Sequence, residues 1–191
     1  VEGAMDIVSR VKNILIDPKN EWAVIDGEPD QPIDILKNYV AIVAAIPVVC
    51  AFIGTSIIGI GPYRTGFFVG LIGGIIHYVL TLVGVFVIAY IIDALAEMFG
   101  GRKNFNSAFK VAAYAPTAAW VAGVFTLIPI LSVLTILGLY SLYLFYLGLP
   151  MLMRAPPDKA IAYVIAVIVA AIIVWVVIFS LPMMLLGLRM M

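Results

Sequence analysis

The stretch Phe67–Lys110 reads FFVGLIGGIIHYVLTLVGVFVIAYIIDALAEMFGGRKNFNSAFK. It runs to Ile92 without Asp, Glu, Lys or Arg, then gathers Asp93, Glu97, Arg102, Lys103 and Lys110 in a short polar island. About 20 apolar helical residues cross the ~30 Å hydrocarbon layer of a bilayer. Residues 67–92 therefore read as a membrane span that ends at an aqueous boundary. The same alternation runs through the rest of the chain beyond Tyr39, where polar islands at Pro62–Gly66, Gly100–Lys110 and Arg154–Lys159 separate long apolar runs. The fold class expected is all-α: a polytopic membrane protein, a five-transmembrane-helix bundle preceded by amphipathic helices.

The five spans are expected at Tyr39–Ile60, Phe67–Ile92, Val111–Ile128, Val133–Met153 and Ile161–Leu186. Lys110 to Arg154 carries no charge between its ends, yet it is too long for one crossing and suits a helical hairpin. Pro129 removes a helix donor and Ser132 can cap the next helix, so the hairpin bend is expected there. Pro47, Pro116, Pro150 and Pro182 are expected to bend or end helices, which a membrane bundle tolerates when other donors reach the freed carbonyls. Composition agrees. Hydrophobic residues make up 64% and charged residues 12%, against ~25% charged in an ordinary soluble domain; the mean hydropathy is +1.17. The formal net charge is zero, so no bulk attraction to nucleic acid follows and no nucleic-acid partner is expected. The lone cysteine, Cys50, cannot form an intramolecular disulfide and reads as a small packing residue. The opening residues lack the basic and apolar regions of a cleavable signal, and Val1–Ala4 carry no functional argument.

Basic residues set the orientation. With the N-terminus inside, the inner segments hold Arg10, Lys12, Lys19, Lys37, Arg102, Lys103, Lys110, Arg154 and Lys159, and the outer ones hold only Arg64 and Arg189. The expected location is a prokaryotic cytoplasmic (inner) membrane, N-terminus inside and C-terminus outside. Residues 1–38 form the expected cytoplasmic or interfacial segment and 39–191 the membrane domain. In the former, Ile7, Val8, Val11, Ile14 and Leu15 share a helical face opposite Asp6, Arg10, Lys12 and Asn13, which suits a helix lying on a surface. Asp17-Pro18 restarts the helix as N-cap and first helical residue. Trp22 on that second helix favours the headgroup layer, and Gly27 to Pro32 ends it.

Gly66, Gly70 and Gly74 recur at four-residue spacing and offer a smooth strip for close helix packing, within the bundle or between copies in a homo-oligomer. Weaker strips are Ala51/Thr55/Gly59, Ala115/Ala119/Gly123 and Ala162/Ala166/Ala170. Asp93 and Glu97 share a helix face. Asp93 lies 26 residues beyond Phe67, about 39 Å along a helix, so it belongs at the boundary. There Asp93, Glu97, Arg102 and Lys103, with Lys110 in reach, form a candidate inner-face interaction cluster. Gly100-Gly101 suits a helix stop. His77 is the only histidine and is expected as a neutral group hydrogen-bonded across helices. Tyr140, Tyr143 and Tyr146 recur every third residue and need partners in lipid. With no His/Cys cluster, HExxH or paired membrane-depth aspartates, no metal or other cofactor is expected. No nucleophile–base pair is apparent either.

Five segments together carry a family resemblance: Arg10-Val-Lys-Asn-Ile-Leu through Pro18-Lys-Asn-Glu-Trp22; Asp93 through Phe99-Gly-Gly101; Tyr114-Ala-Pro116; Gly138-Leu-Tyr-Ser-Leu-Tyr through Tyr146-Leu-Gly-Leu-Pro150; and Arg154–Tyr163 with Pro156 and Lys159-Ala160. The chain resembles the Yip family, the Ypt/Rab-interacting membrane proteins, in its shorter prokaryotic form, from about Met5 to Leu186. The resemblance implies five spans, a cytosolic N-terminus and no catalytic motif. In eukaryotes it implies a role in vesicle traffic through contact with prenylated small GTPases; the long cytosolic domain of that branch is not found here. Two function classes are carried forward. One is a non-enzymatic integral membrane scaffold or adaptor, in membrane organisation or trafficking, with a protein partner at the cytoplasmic face. The other is a small-solute or ion transporter or channel acting as an oligomer, with His77 and the tyrosines along its path. Five crossings make a reporter fused after Met191 read as external, and a cytoplasmic reading would overturn that topology.

Overall fold

The computed structural model describes residues 6–59 and 63–187. Expectations on Val1–Ala4, Ile60, Pro62, Arg189 and Met191 lie outside them. Two short helices, α1 (Ile7–Ile16) and α2 (Pro18–Gly27), form an N-terminal arm. Four helical segments long and apolar enough to cross a membrane follow: α3 (Pro32–Ile58), α4 (Phe67–Phe99), α5 (Phe105–Leu127) and α6 (Pro129–Leu152). The region expected as the last span is helical from Pro157 to Gly187, 31 residues, here α7. No strand occurs among the described residues, and the protein is an all-α polytopic membrane protein.

The turns fall at two ends. The α4–α5 and α6–α7 turns meet at the arm-bearing end, where the Arg102 amide donates to Met153 O (2.8 Å). At the opposite end the Thr65 amide donates to Thr55 O (3.0 Å) across the α3–α4 turn. The Gly100-Gly101 stop closes α4 as a Schellman motif. Gly100 takes the left-handed φ of +75°, its amide reaches Glu97 O (3.1 Å), and the Gly101 amide reaches Ala96 O (2.9 Å).

The core lies where α4 meets α5. Val85, Ala89, Ile92 and Ala96 of α4 are buried against Ala108, Phe109 and Ala112 of α5. Alanines let the two backbones approach, and Phe86 packs on Phe109 with ring centroids 4.9 Å apart. Among the long helices, prolines and glycines decide where the backbone leaves α geometry. Pro116 divides α5 at Ala115–Pro116, whereas α6 continues past Pro150 and α7 past Pro182. In α3 the chain turns at Ala44, one turn ahead of Pro47, between π-helical turns at Leu36–Val40 and Ile53–Ile58. The α5–α6 hairpin bends at Ile128–Pro129, flanked by 3-10 stretches Gly123–Leu127 and Pro129–Leu139. Ser132 does not cap the second arm of the hairpin; Pro129 itself opens it, with φ already suited to the first helical position, and Ser132 O accepts from Thr135 Oγ1 (2.7 Å).

Among the expected glycines, Gly70 faces Ser56 and Phe52 of α3, and Gly74 faces Val48; Gly66 is the N-cap of α4 and packs against nothing closer than its neighbour Val69. A Cβ on Gly70 would lie 2.0 Å from Ser56 Oγ, a flexible side chain, whereas glycines outside the strip meet backbone or proline. A Cβ on Gly54 would lie 2.0 Å from Thr126 O, one on Gly123 2.4 Å from Pro47 Cβ, and one on Gly138 2.9 Å from Ala119 Cα. These contacts hold α3, α5 and α6 together at and beyond the proline break. Gly54→Ala presses a methyl into backbone that cannot move aside, and is expected to lower stability by about 1–3 kcal/mol. Gly73, with nothing within 4 Å of its Cβ position, is the control: Gly73→Ala is expected to be neutral or stabilising by up to about 1 kcal/mol. Denaturant titration in detergent reads both, and equal effects would remove the close-approach argument.

Candidate functional site: the arm and its charged socket

Ile7, Val11, Ile14 and Leu15 of the expected apolar face of α1 pack on the core, but Val8 and Arg10 exchange places. Apolar Val8 and Ile16 are exposed, while Arg10 is only 5% exposed and turns inward with Ile14. The reason is a set of partners found only on the inward side. Arg10 Nη1 donates to Glu21 Oε1 (2.6 Å) and Nη2 pairs with Glu28 Oε1. The guanidinium also sits over the Tyr114 ring, 5.6 Å from its centroid, a cation–π contact. Burial by itself would pull the Arg10 pKa down; the bond to Glu28 and the neighbouring acids outweigh it and raise it above the ordinary value. The group is thus held charged, and its contribution to stability is present below the ordinary arginine range for as long as its carboxylate partners are ionised.

Lys110 of α5 is equally buried, and its ammonium donates to the backbone of the arm, at Ile25 O (2.7 Å) and at Glu28 O. Those carbonyls belong to the end of α2 and the residue that follows it, where orphan acceptors and the helix dipole favour a cation. Lys110 was expected near Asp93 and Glu97; it is turned to the arm instead. Trp22 is fully buried rather than held in the headgroup layer, with its ring against Gly148 of α6, where any Cβ would fall 2.5 Å from the indole. It meets Tyr114 edge-on at 6.5 Å. Arg154 closes the far side. It occupies a left-handed φ of +54° just past the end of α6, a conformation that favours glycine, and from there Nη2 donates to Asp26 Oδ2 (2.7 Å).

Beneath this socket the polar contacts continue into the bundle. Thr117 Oγ1 donates to Tyr114 O (2.6 Å), so the 2.7 Å contact with Tyr39 is one in which the Tyr39 hydroxyl donates. Across the Pro116 break the Ala119 amide donates to Ser141 Oγ (2.9 Å). Trp22 Nε1 and Glu28 Oε2 are buried without a partner among the described residues.

The expected inner-face cluster is divided by this arrangement. Glu97 and Lys103 pair at 3.4 Å and are exposed. Arg102 is exposed beside them, tied through its amide. Asp93 is half-buried with Oδ1 unpartnered among the described residues, close to α7, where Tyr163 donates to Ile92 O. His77 is exposed on α4 and forms no side-chain hydrogen bond within the described residues; the cross-helix bond expected of it is not made, because that face of α4 points away from the other helices. Tyr143 and Tyr146 are also exposed, with Tyr140 half-buried, its ring 5.4 Å from that of Tyr143. Socket residues Arg10, Glu21, Glu28, Lys110 and Tyr114 were missed as a unit. The available signal was a basic residue on the polar face of α1 together with a lysine and a tyrosine one turn apart on an otherwise apolar α5.

The architecture defines a helical membrane protein with an N-terminal arm docked on its bundle, which implies a lipid-bilayer environment. The chain belongs to the Yip1 domain family, whose pattern matches residues 12–178. It is 28% identical over 189 residues to the inner membrane protein YohC of Escherichia coli K12, covering 94% of this chain and 97% of the relative. The protein of the same name from Escherichia coli O6:H1 matches at the same identity and coverage. No solved structure matches the chain.

Removing the Arg10 guanidinium strands Glu21 as an unpaired buried charge. Arg10→Ala is expected to destabilise arm docking by about 3–5 kcal/mol, read as faster proteolysis within residues 27–31. Arg10→Lys should restore part of the protection. Unchanged cleavage in Arg10→Ala would show that the ion pairs do not hold the arm.

Proposed function

We propose that the protein is a non-enzymatic membrane scaffold or adaptor of a bacterial-type inner membrane, and that its arm-bearing end faces the cytoplasm and receives a protein partner. The observation that carries this reading is the composite surface at that end. Exposed Glu97, Arg102 and Lys103 stand on the α4–α5 turn, near exposed Met98, while the arm presents Val8 and Ile16 outward. Apolar side chains among mixed charges are the usual composition of a protein-binding surface. The basic residues support the orientation: Arg10, Lys110 and Arg154 in the socket and Arg102 and Lys103 on the turn share one end, and an excess of cations marks the cytoplasmic side. The relatives' description as inner membrane proteins supports the location. A non-enzymatic role is supported by the socket's chemistry, since its charged groups are mostly spent on one another and on the arm backbone. The transport reading draws no support from His77, Tyr143 and Tyr146, which face outward.

The test is purification in mild detergent from native membrane, with co-purifying proteins identified for wild type and for Asp93→Asn/Glu97→Gln. A stoichiometric protein lost in a folded variant is the expected result. Undiminished binding by that variant removes these acids from the interface, and wild type emerging without any protein overturns the adaptor reading.

A further inference from the structure

The Pro116 break leaves a gap between helices that the side chains do not fill. A cavity of about 380 Å3 opens between α5, α6 and α7, with Ser141 and Ala171 on its walls. A second, of about 220 Å3, lies between α4 and α5 beside Gly84 and Trp120. The two share Ile88, Ala115, Pro116 and Phe145, so they adjoin around the break. On α4 the walls span Thr81 to Ile88, which places them about 8–18 Å from Asp93 along the helix axis and within the apolar part of the chain.

Three occupants are compatible with a space at that depth, and the lining discriminates among them. Water needs two to four polar partners. The walls offer only two hydroxyls, and both are engaged: Thr81 donates to His77 O (2.9 Å) and Ser141 accepts from the Ala119 amide. A transmembrane helix of a partner is too thick, since a cylinder ~10 Å across displaces roughly 400 Å3 per turn. An empty apolar cavity forfeits dispersion contacts along its whole lining. A single hydrocarbon chain is thin enough, needs no polar partner, and is the medium in which the bundle sits. We propose that this gap is a binding site for one hydrocarbon chain of a membrane lipid, an acyl or isoprenoid chain, seated at the Pro116 break. The proposal does not depend on the adaptor reading.

Gly84 provides a way to fill the site. Nothing lies within 4 Å of its Cβ position and it lines the smaller cavity, and leucine is the better helix former, so Gly84→Leu is placed to fill the smaller cavity; Ala171→Leu fills the larger. The full chain, purified in mild detergent, is examined by native mass spectrometry. Wild type is expected to retain one lipid-mass adduct that Gly84→Leu/Ala171→Leu loses, and fragmentation of the adduct distinguishes phospholipid, free fatty acid and isoprenoid sources. Wild type without an adduct, equal retention by the filled variant, or a second copy of the chain in place of the lipid would each overturn the proposal. An independent reading needs no filled variant. Trp120 is only 8% exposed, so lipid surrounding the bundle reaches it poorly while a chain in the gap touches it. With Trp22 and Trp175 replaced by Phe, its fluorescence is expected to fall in vesicles of phosphatidylethanolamine brominated in mid-chain relative to unbrominated vesicles. Equal fluorescence in the two would show the gap unoccupied.

Discussion

Hydrocarbon offers no hydrogen bonds, so every backbone group that leaves a helix ladder inside the bundle must find a partner on a neighbouring helix. This constraint orders the interior. Pro116 interrupts α5, and the break is closed by Thr117 bonding back to Tyr114 O and by Ser141 reaching the Ala119 amide. In α3, in the stretch loosened ahead of Pro47, the Ala41 carbonyl accepts from Tyr78 of α4 (2.7 Å). Each irregularity is thereby coupled to a specific neighbour. The close approaches at Gly54, Gly123 and Gly138 follow from the same need, because a short hydroxyl or a backbone amide serves only when backbones come near.

The arm obeys a different balance. Burying Arg10, Glu21 and Lys110 is unfavourable by several kcal/mol per charge unless each is paired and hydrogen-bonded. Arg10 meets two carboxylates and an aromatic face; Lys110 meets two carbonyls. Apolar contact supplies a separate part: losing a buried tryptophan side chain typically costs about 3–5 kcal/mol, and Trp22 is wholly enclosed against Gly148. The charges penalise any placement of the arm that leaves them unpaired, while Trp22 supplies adhesion at a slot that only a glycine at 148 leaves open.

Elements were legible where one physical signal dominated. The Gly100-Gly101 stop, the α2 start at Pro18 and the bend at Pro129 came from local backbone chemistry. The all-α bundle came from apolar length. Signals that depend on which helix faces which were misread or missed. The moment of α1 assigned Arg10 to the solvent side, because a single helix gives no view of Glu28 or Tyr114 across the socket. Lys110 was assigned to the nearest acids in sequence, whereas its acceptors are carbonyls more than 80 residues away. The resemblance segments carried information that the periodicity did not: Arg10, Trp22, Tyr114, Gly148 and Arg154 all lie in them and all meet in the socket. Four of the five segments thus contribute to one docking surface, and the fifth, Asp93 to Gly101, forms the end of α4.

That convergence changes how the basic residues are understood. Arg10, Lys110 and Arg154 count toward the positive-inside bias, yet Arg10 ties the two helices of the arm together through Glu21 and Glu28, while Lys110 and Arg154 reach the arm from the bundle at a carbonyl and at Asp26. A cation that only set topology would need no partner and would be freely replaced by any other near the span. Arg10 and Lys110 are buried in place, and Arg154, though exposed, is positioned by a left-handed backbone conformation that arginine adopts at some strain. On the proposed orientation, three of the nine cations that mark the cytoplasmic side also shape the arm or dock it, so the two tasks share charges.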